Sequence, residues 1–469
     1  MNVLAIDQGT SATKALLVAP GGAVLGAAEV GVRTRSVGAD GVEADPEELL
    51  GSVLAAGTRA LAAAGAPAHA VALANQGETV LAWDRASGAP RSPAIVWQDR
   101  RAAGVCRRLA GRAEELTAIT GLRLDPYFAA PKMTWLRDRC GPGDAITTTD
   151  TWLLRRLGAG YVTDAATASR TMLLDLDAVA WSGTACQAFG IEEESLPEVA
   201  DCAGVVGETA AFGRPLPVAG IAVDQQAALF GERCLTAGDA KCTYGTGAFL
   251  LMNSGPAPRR GGGLSASVAW RLAGAATYCL DGQVYTAGSA VRWLAGTGVI
   301  GSPGELDAVA GTVPDAGGVI FVPALAGLGA PHWDPGARGM FTGLHLGTSR
   351  GHLARAVADG IAAAVAVLAS AGGAELASLR ADGGLTRSRL LMQAQADLLQ
   401  VPVLVSRSPD ATALGVAALA RLGLSGAASP GEALGPAEVR EVVEPAITAD
   451  EAAERLAAFR SALERAVAR

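Results

Sequence analysis

Residues 3–18 read VLAIDQGTSATKALLV, and residues 240–253 read AKCTYGTGAFLLMN. In each stretch a short polar Gly-Thr segment separates two apolar runs, the pattern of a β-hairpin. One such hairpin opens each half of the chain, which predicts a duplicated protein with lobes at 1–231 and 232–469. Around the first hairpin, helices are expected over 47–64, 99–118, 150–157 and 223–231. A short strand at 71–74 stops at Asn75-Gln76-Gly77-Glu78, and a strand resumes at 80–83. Beyond the second hairpin, strands are expected within 266–280 and at 318–322 and 402–405, and helices at 288–296, 351–371, 388–400 and 411–424. Asp382-Gly383-Gly384 reads as a strand-to-helix turn. Strands alternating with helices indicate an α/β architecture.

The 469 residues are enough for two or three domains at about 100–200 residues each. Half of the residues are hydrophobic, 18% are charged and the net charge is −8, which argues against a nucleic-acid binder with its usual basic stripe. The seven cysteines are odd in number and contain no C-x-x-C, which argues against a disulfide framework or a zinc site. No basic segment followed by an apolar run marks a signal peptide. Apolar stretches such as 361–369 fall short of the roughly 20 residues that span a bilayer. The expectation is a cytoplasmic protein with neither a membrane nor a nucleic-acid partner.

None of the three lysines follows a glycine, so the Walker A pattern is excluded. The G-x-G-x-x-G at Gly296 to Gly301 follows a helical segment where a dinucleotide fingerprint follows a strand. With 60 glycines in the chain it is read as a chance match. The two hairpins remain as phosphate sites. Tight Gly turns leave backbone N–H groups that can point at an anion. Thr10, Ser11 and Thr246 add hydroxyls and Lys14 adds charge. The alternative is a pair of ordinary surface turns. Against it, the chain holds 35 Arg and only three Lys, yet Lys14 and Lys241 each border a hairpin, and Lys132 follows Asp125-Pro126-Tyr127-Phe128. Asp7 ends the first strand beside its turn, where a carboxylate can hold Mg²⁺, often through water, next to phosphates. Asp224 ends another apolar strand and opens a helix. It can serve as an N-cap. It can also serve as the general base that phosphoryl transfer to an alcohol requires.

A set of ordered stretches carries a resemblance over Ile6 to about Gly423: IDQGTSATKALL, ANQGETVLAWDRASGAPRSPAIVWQDRR, TGLRLDPYF, DTWLLRRL, VTDAATASRTMLLDL, GIAVDQQAALFGE, AKCTYGTGAFLLMNSG, VPALAGLGAPHWDPGARG and DGGLTRSRLLMQAQADLL. Together they resemble the FGGY carbohydrate kinases, and most of all the glycerol kinases among them. The resemblance implies two lobes, each with the actin-like ATPase (ribonuclease H-like) fold, with ATP and substrate in the interlobe cleft. It implies ATP and Mg²⁺ as cofactors and phosphorylation of a small polyol or sugar. Asp224 would be the base, and Asp7 with Asp224 would lie near the metal. Thr10, Ser11, Lys14 and Thr246 would surround the phosphates. Gly288, Arg292, Gly384 and Ser388 would line the nucleotide pocket. Gln76, Gly77, Glu78, Trp97, Tyr127, Asp224, Gln225 and Phe249 would line the polyol pocket. A homodimer or homotetramer is the expected assembly.

The chain departs from the glycerol kinase pattern at Gly77, where that pattern has an arginine that donates to glycerol hydroxyls. Arg292 stands in place of Gln, and Ser388 in place of Asn. The missing arginine leaves a second substrate class open, a longer polyol or ketose in the vacated space, unless another arginine of the cleft replaces it. Ketose kinases of the wider family have a His after this position, whereas the chain keeps Glu78. A non-catalytic actin-like ATP-binding protein is the distant alternative; it has no need of Glu78, Trp97, Tyr127 and Asp224 together.

Overall fold

The computed structural model describes residues 1–141, 143–373, 375–425, 429–436 and 439–467. Two mixed sheets organise it, and both follow one topology. In the first, Val3–Gln8, Ala12–Val18 and Val24–Gly31 form an antiparallel meander. Ala70–Asn75 and then Leu216–Val223 add in parallel on the other side of Val3–Gln8, and Ala203–Thr209 closes that edge antiparallel. In the second, the meander is Ala240–Tyr244, Ala248–Gly255 and Ala275–Val284. Leu379–Asp382 and Val403–Ser406 add in parallel and Val439–Val443 closes the edge antiparallel. One extra strand, Ser265–Leu272, extends the far side. The two hairpins visible in the sequence are therefore the central hairpins of two equivalent sheets.

The parallel strands read as unbroken apolar runs because helices or other strands cover both their faces. Val3, Leu4, Ala5 and Ile6 are all fully buried. Helix Ala411–Ser425 lies late in the sequence yet packs on the first sheet and on helix Asp224–Gly231. Gly231 and Gly415 permit that crossing: a β-carbon on Gly415 would strike the Ala227 carbonyl, and one on Gly231 would strike the Ala411 carbonyl.

A third sheet, with strands Thr34–Val37, Gly41–Ala44, Ala94–Ile95, Val80–Asp84 and Asp144–Thr148, branches from the first. It carries the loops that hold Trp97 and Tyr127. The helix expected over 99–118 is instead two short helices, Ala103–Arg108 and Ala113–Thr120, joined by a 3₁₀ turn. Gly111 sits in that turn, and glycine is a poor helix former. Helix Arg350–Ala371 has 22 residues and is long and apolar enough to cross a bilayer, so the expectation that no stretch approaches that length does not hold. Its apolarity has another cause: most of it is buried, among other elements against Ile320–Val322, Arg389–Leu399 and Ala449–Ala466.

Candidate active site

A cavity of about 180 Å³ opens between the two sheets, at the carboxyl ends of the parallel strands of the first. Ligands of open α/β sheets bind at such ends. Gly77, Glu78, Trp97, Tyr127, Asp224, Gln225 and Phe249 all line it, together with Thr10. Gln76 does not. It is buried behind the wall, where its Oε1 accepts from the Thr10 and Thr79 hydroxyls at 3.2 and 3.1 Å. Trp97 Nε1 donates to Thr10 Oγ1 at 2.9 Å, and its ring meets Tyr127 edge-on at 5.6 Å. The loop presenting Tyr127 is held from below by Lys132. That fully buried amine donates to the carbonyls of Pro126, Tyr127 and Phe128 at 3.0, 2.5 and 2.7 Å. This rare lysine therefore acts on the backbone of the loop that presents Tyr127.

The charged centre of the cavity was not foreseen. Arg170 donates from Nε to Glu78 Oε1 at 2.7 Å and from its terminal nitrogen to Asp281 Oδ2 at 2.5 Å. All three residues are buried, so the triad ties the first half of the chain to the second inside the cleft. Glu78 reaches it from a left-handed backbone, φ 58°, a conformation costly for a residue with a side chain and concentrated at functional sites. Arg170 lies within VTDAATASRTMLLDL, a stretch that carried the resemblance, whereas Asp281 had no signal beyond a place on a strand. Position 77 also differs from expectation. A β-carbon on Gly77 would stand 2.9 Å from Val223 Cγ2, so a methyl group occupies the approach that was expected to be vacant. Arg170 does not take over the donors of the missing arginine freely, because two carboxylates already engage it.

Asp224 sits at the start of helix Asp224–Gly231 but does not cap it; the cap position is Val223, with no side-chain bond. Its Oδ1 accepts the Gln225 N–H at 2.7 Å. Burial first, and then the Glu78 charge, push its carboxyl up to about 7, against the pull of that N–H and Lys241. Asp7 is likewise pushed up to about 7 by burial and by Asp224, with Lys14 opposing. Asp224 and Asp7 are half-buried, and the Asp224 charge raises Asp7, so the pair leaves negative charge for a cation to neutralise. No group of three or more His, Cys, Asp or Glu among the described residues forms a ready cage. This pair suits Mg²⁺, which keeps waters and phosphate oxygens in its shell. Lys14 forms an ion pair with Asp410. Asp410 was missed in the sequence; its signal is an Asp immediately before an Ala-rich helix. Lys241 is buried and donates to Gln225 Oε1 at 2.7 Å and to Thr243 Oγ1 at 2.9 Å.

On the other side of the cleft, the turn Gly245-Thr246-Gly247 meets the start of helix Gly288–Gly296. The Gly288 N–H donates to the Gly245 carbonyl at 3.0 Å, and a β-carbon on Gly288 would strike that carbonyl. The Ser289 N–H and hydroxyl both reach the Thr246 carbonyl at 3.0 Å. Arg292 approaches Thr246 Oγ1 at 3.5 Å. Gly383, at φ 92°, packs on the Tyr244 backbone, and open space lies beside Gly384. Ser388 caps helix Arg389–Leu399 through Leu391 N at 3.1 Å and also bonds Asp307, so its side chain is engaged within its own lobe. Ser11 is exposed at the tip of the first turn.

Residues 2–231 match the N-terminal domain of the FGGY family of carbohydrate kinases, and residues 240–424 match its C-terminal domain. The chain is 46% identical to the glycerol kinase of Thermus brockianus over 452 residues, 92% of this chain and 91% of that one. The structure is similar to that of Plasmodium falciparum glycerol kinase with ADP, with 29% identity, a TM-score of 0.93 and coverage of 100% and 98% of the two chains. It is also similar to the xylulose kinase of Rhodospirillum rubrum, with 25% identity, a TM-score of 0.87 and coverage of 99% and 98%. Duplicated sheets, hairpin turns facing a common cleft and matches to both family domains lead to one assignment: the chain belongs to the FGGY family of carbohydrate kinases.

Proposed function

We propose that this chain transfers the terminal phosphoryl group of ATP to a hydroxyl of a small polyol or sugar. The observation that carries the reading is Asp224: a half-buried carboxylate with its carboxyl near 7, in a cavity that also exposes Glu78, Arg170 and Gln225. A general base works best with a pKa near the operating pH. Asp224 takes the proton of the attacking hydroxyl. Glu78 and Gln225 orient the polyol, and the Trp97–Tyr127 corner packs on its carbon chain. The turns at Thr10 and Thr246 hold the phosphates, and Gly288, Arg292 and Gly384 border the nucleotide. Asp7 and Asp224 would hold Mg²⁺, which would supply neutralisation of phosphate charge. The lobes divide near residue 231 and close on the substrate, which excludes water from the phosphoryl group.

The non-catalytic reading is disfavoured by the buried Glu78–Arg170–Asp281 triad, which a nucleotide-only protein has no use for. The test is ADP release from ATP and Mg²⁺ with a panel of polyols and ketoses. Substrate-dependent ADP release supports the reading. A rate equal with and without every alcohol, despite measurable ATP binding, would overturn it.

A further inference from the structure

The wall facing Gly77 contains an unmet polar group. Gln283 lies on strand Ala275–Val284, is 6% exposed and lines the cavity. Among the described residues its Oε1 has no hydrogen-bond partner. A buried polar atom without a partner costs about 1–3 kcal/mol and calls for an explanation. Strand register places Gln283 directly across from Phe249, and Asp281 directly across from Leu251. Residues two apart on a strand share a face, so Gln283, Asp281, Phe249 and Leu251 form one surface of the second lobe. Asp281 is engaged by Arg170; Gln283 is not engaged. On the opposite wall, Gly77 offers no side chain and Val223 offers a methyl. Hydroxyl recognition is thus absent where the glycerol pattern has its arginine, and a free amide waits across the cavity.

We infer that Gln283 is a specificity-determining residue: it receives a hydroxyl of the substrate beyond its third carbon, and the enzyme prefers a polyol or ketose of four or five carbons to glycerol. The Gly77–Val223 face then meets the carbon side of the substrate, and the hydroxyls turn toward the second lobe. Because Gln283 lies on the second lobe while Glu78, Tyr127 and Asp224 lie on the first, an extended substrate also bridges the cleft and favours closure. This inference rests on the kinase reading above and specifies its substrate.

The experiment compares kcat/KM for glycerol, erythritol, ribitol and D-xylulose in the wild type, Gln283→Leu and Gln283→Ala. Taking the ratio of two substrates on one preparation cancels any loss of folded enzyme. The wild type is expected to favour one of the longer substrates over glycerol by about tenfold or more, and both variants to lower that ratio about tenfold, the loss of one hydrogen bond. A wild type that favours glycerol, or a ratio unchanged in both variants while ADP release persists, overturns the inference and leaves the kinase reading standing. ADP release with none of the four overturns both.

Discussion

The Lys241 ammonium donates to Gln225 Oε1 at 2.7 Å, one residue from Asp224. The bond fixes the amide: with its oxygen held by lysine, Gln225 presents its NH₂ to the cavity as a donor. The same ammonium draws Asp224 toward ionisation. One buried cation thereby orients a substrate contact and tempers the base beside it.

Asp224→Asn keeps the shape of the site and removes the proton acceptor. Turnover is expected to fall by roughly 10²–10⁴-fold, with the affinity for metal-free ATP by calorimetry changed little. A variant that keeps more than half of the wild-type kcat on the best substrate would exclude Asp224 as the base.

Lys241→Met removes the group that holds Gln225. The amide can then turn, and the polyol KM is expected to rise about tenfold, the equivalent of one hydrogen bond, while the ATP KM changes less. Equal effects on both constants would show that Lys241 serves the lobe as a whole and not the polyol contact.

The raised carboxyls of Asp7 and Asp224 make a proton prediction with a definite sign. Both are near 7 in the ligand-free protein. Their folded values lie above the unfolded ones, so the stability they contribute is present below pH 3.8 and lost as pH rises through about 7. Ligand-free Tm should therefore decline between pH 5 and 8, and Asp7→Asn should flatten that slope. Mg·ATP favours the ionised forms, so its binding near pH 7 should release on the order of one proton. Calorimetry in two buffers of different ionisation enthalpy measures the release. Proton uptake, or none at any pH from 6 to 8, would place these groups away from the metal and phosphates.

Much of this was legible in the sequence for specific reasons. The central hairpins show because buried strands are continuous apolar runs and their turns need Gly-Thr. Glu78, Trp97, Tyr127, Asp224, Gln225 and Phe249 were found together because ordered stretches resembled a known family, and the cavity brings them together. The remainder depended on contacts between residues far apart. Arg170 meets Asp281 over 111 positions of sequence, and no local pattern encodes that pairing. The rarity of Lys132 marks it in the sequence, but composition does not say that it faces the carbonyls of Pro126, Tyr127 and Phe128. The resemblance puts Gln76 in the polyol pocket, but just past the strand end its amide oxygen is taken by the Thr10 and Thr79 hydroxyls, contacts that no local pattern encodes.

Position 77 shows the same limit and supplies the last prediction. Read from the sequence alone, Gly77→Arg should restore the missing donors and improve glycerol use. The structure changes that expectation, because any β-carbon at 77 meets Val223 Cγ2 at 2.9 Å. Valine is stiff about χ1 and is 2% exposed, so it cannot swing clear without disturbing its neighbours. Overpacking of this kind costs about 1–3 kcal/mol. Gly77→Arg alone is therefore expected to lower Tm and to leave glycerol kcat/KM unimproved. Val223→Gly opens the approach, so Gly77→Arg with Val223→Gly should recover most of the Tm lost by the first change and raise glycerol kcat/KM at least tenfold over the wild type. The two substitutions should be coupled by about 0.5–3 kcal/mol in a double-mutant cycle, the range for residues in contact. Simple additivity, or a Gly77→Arg protein as stable as the wild type and better on glycerol, would show that Val223 does not gate position 77.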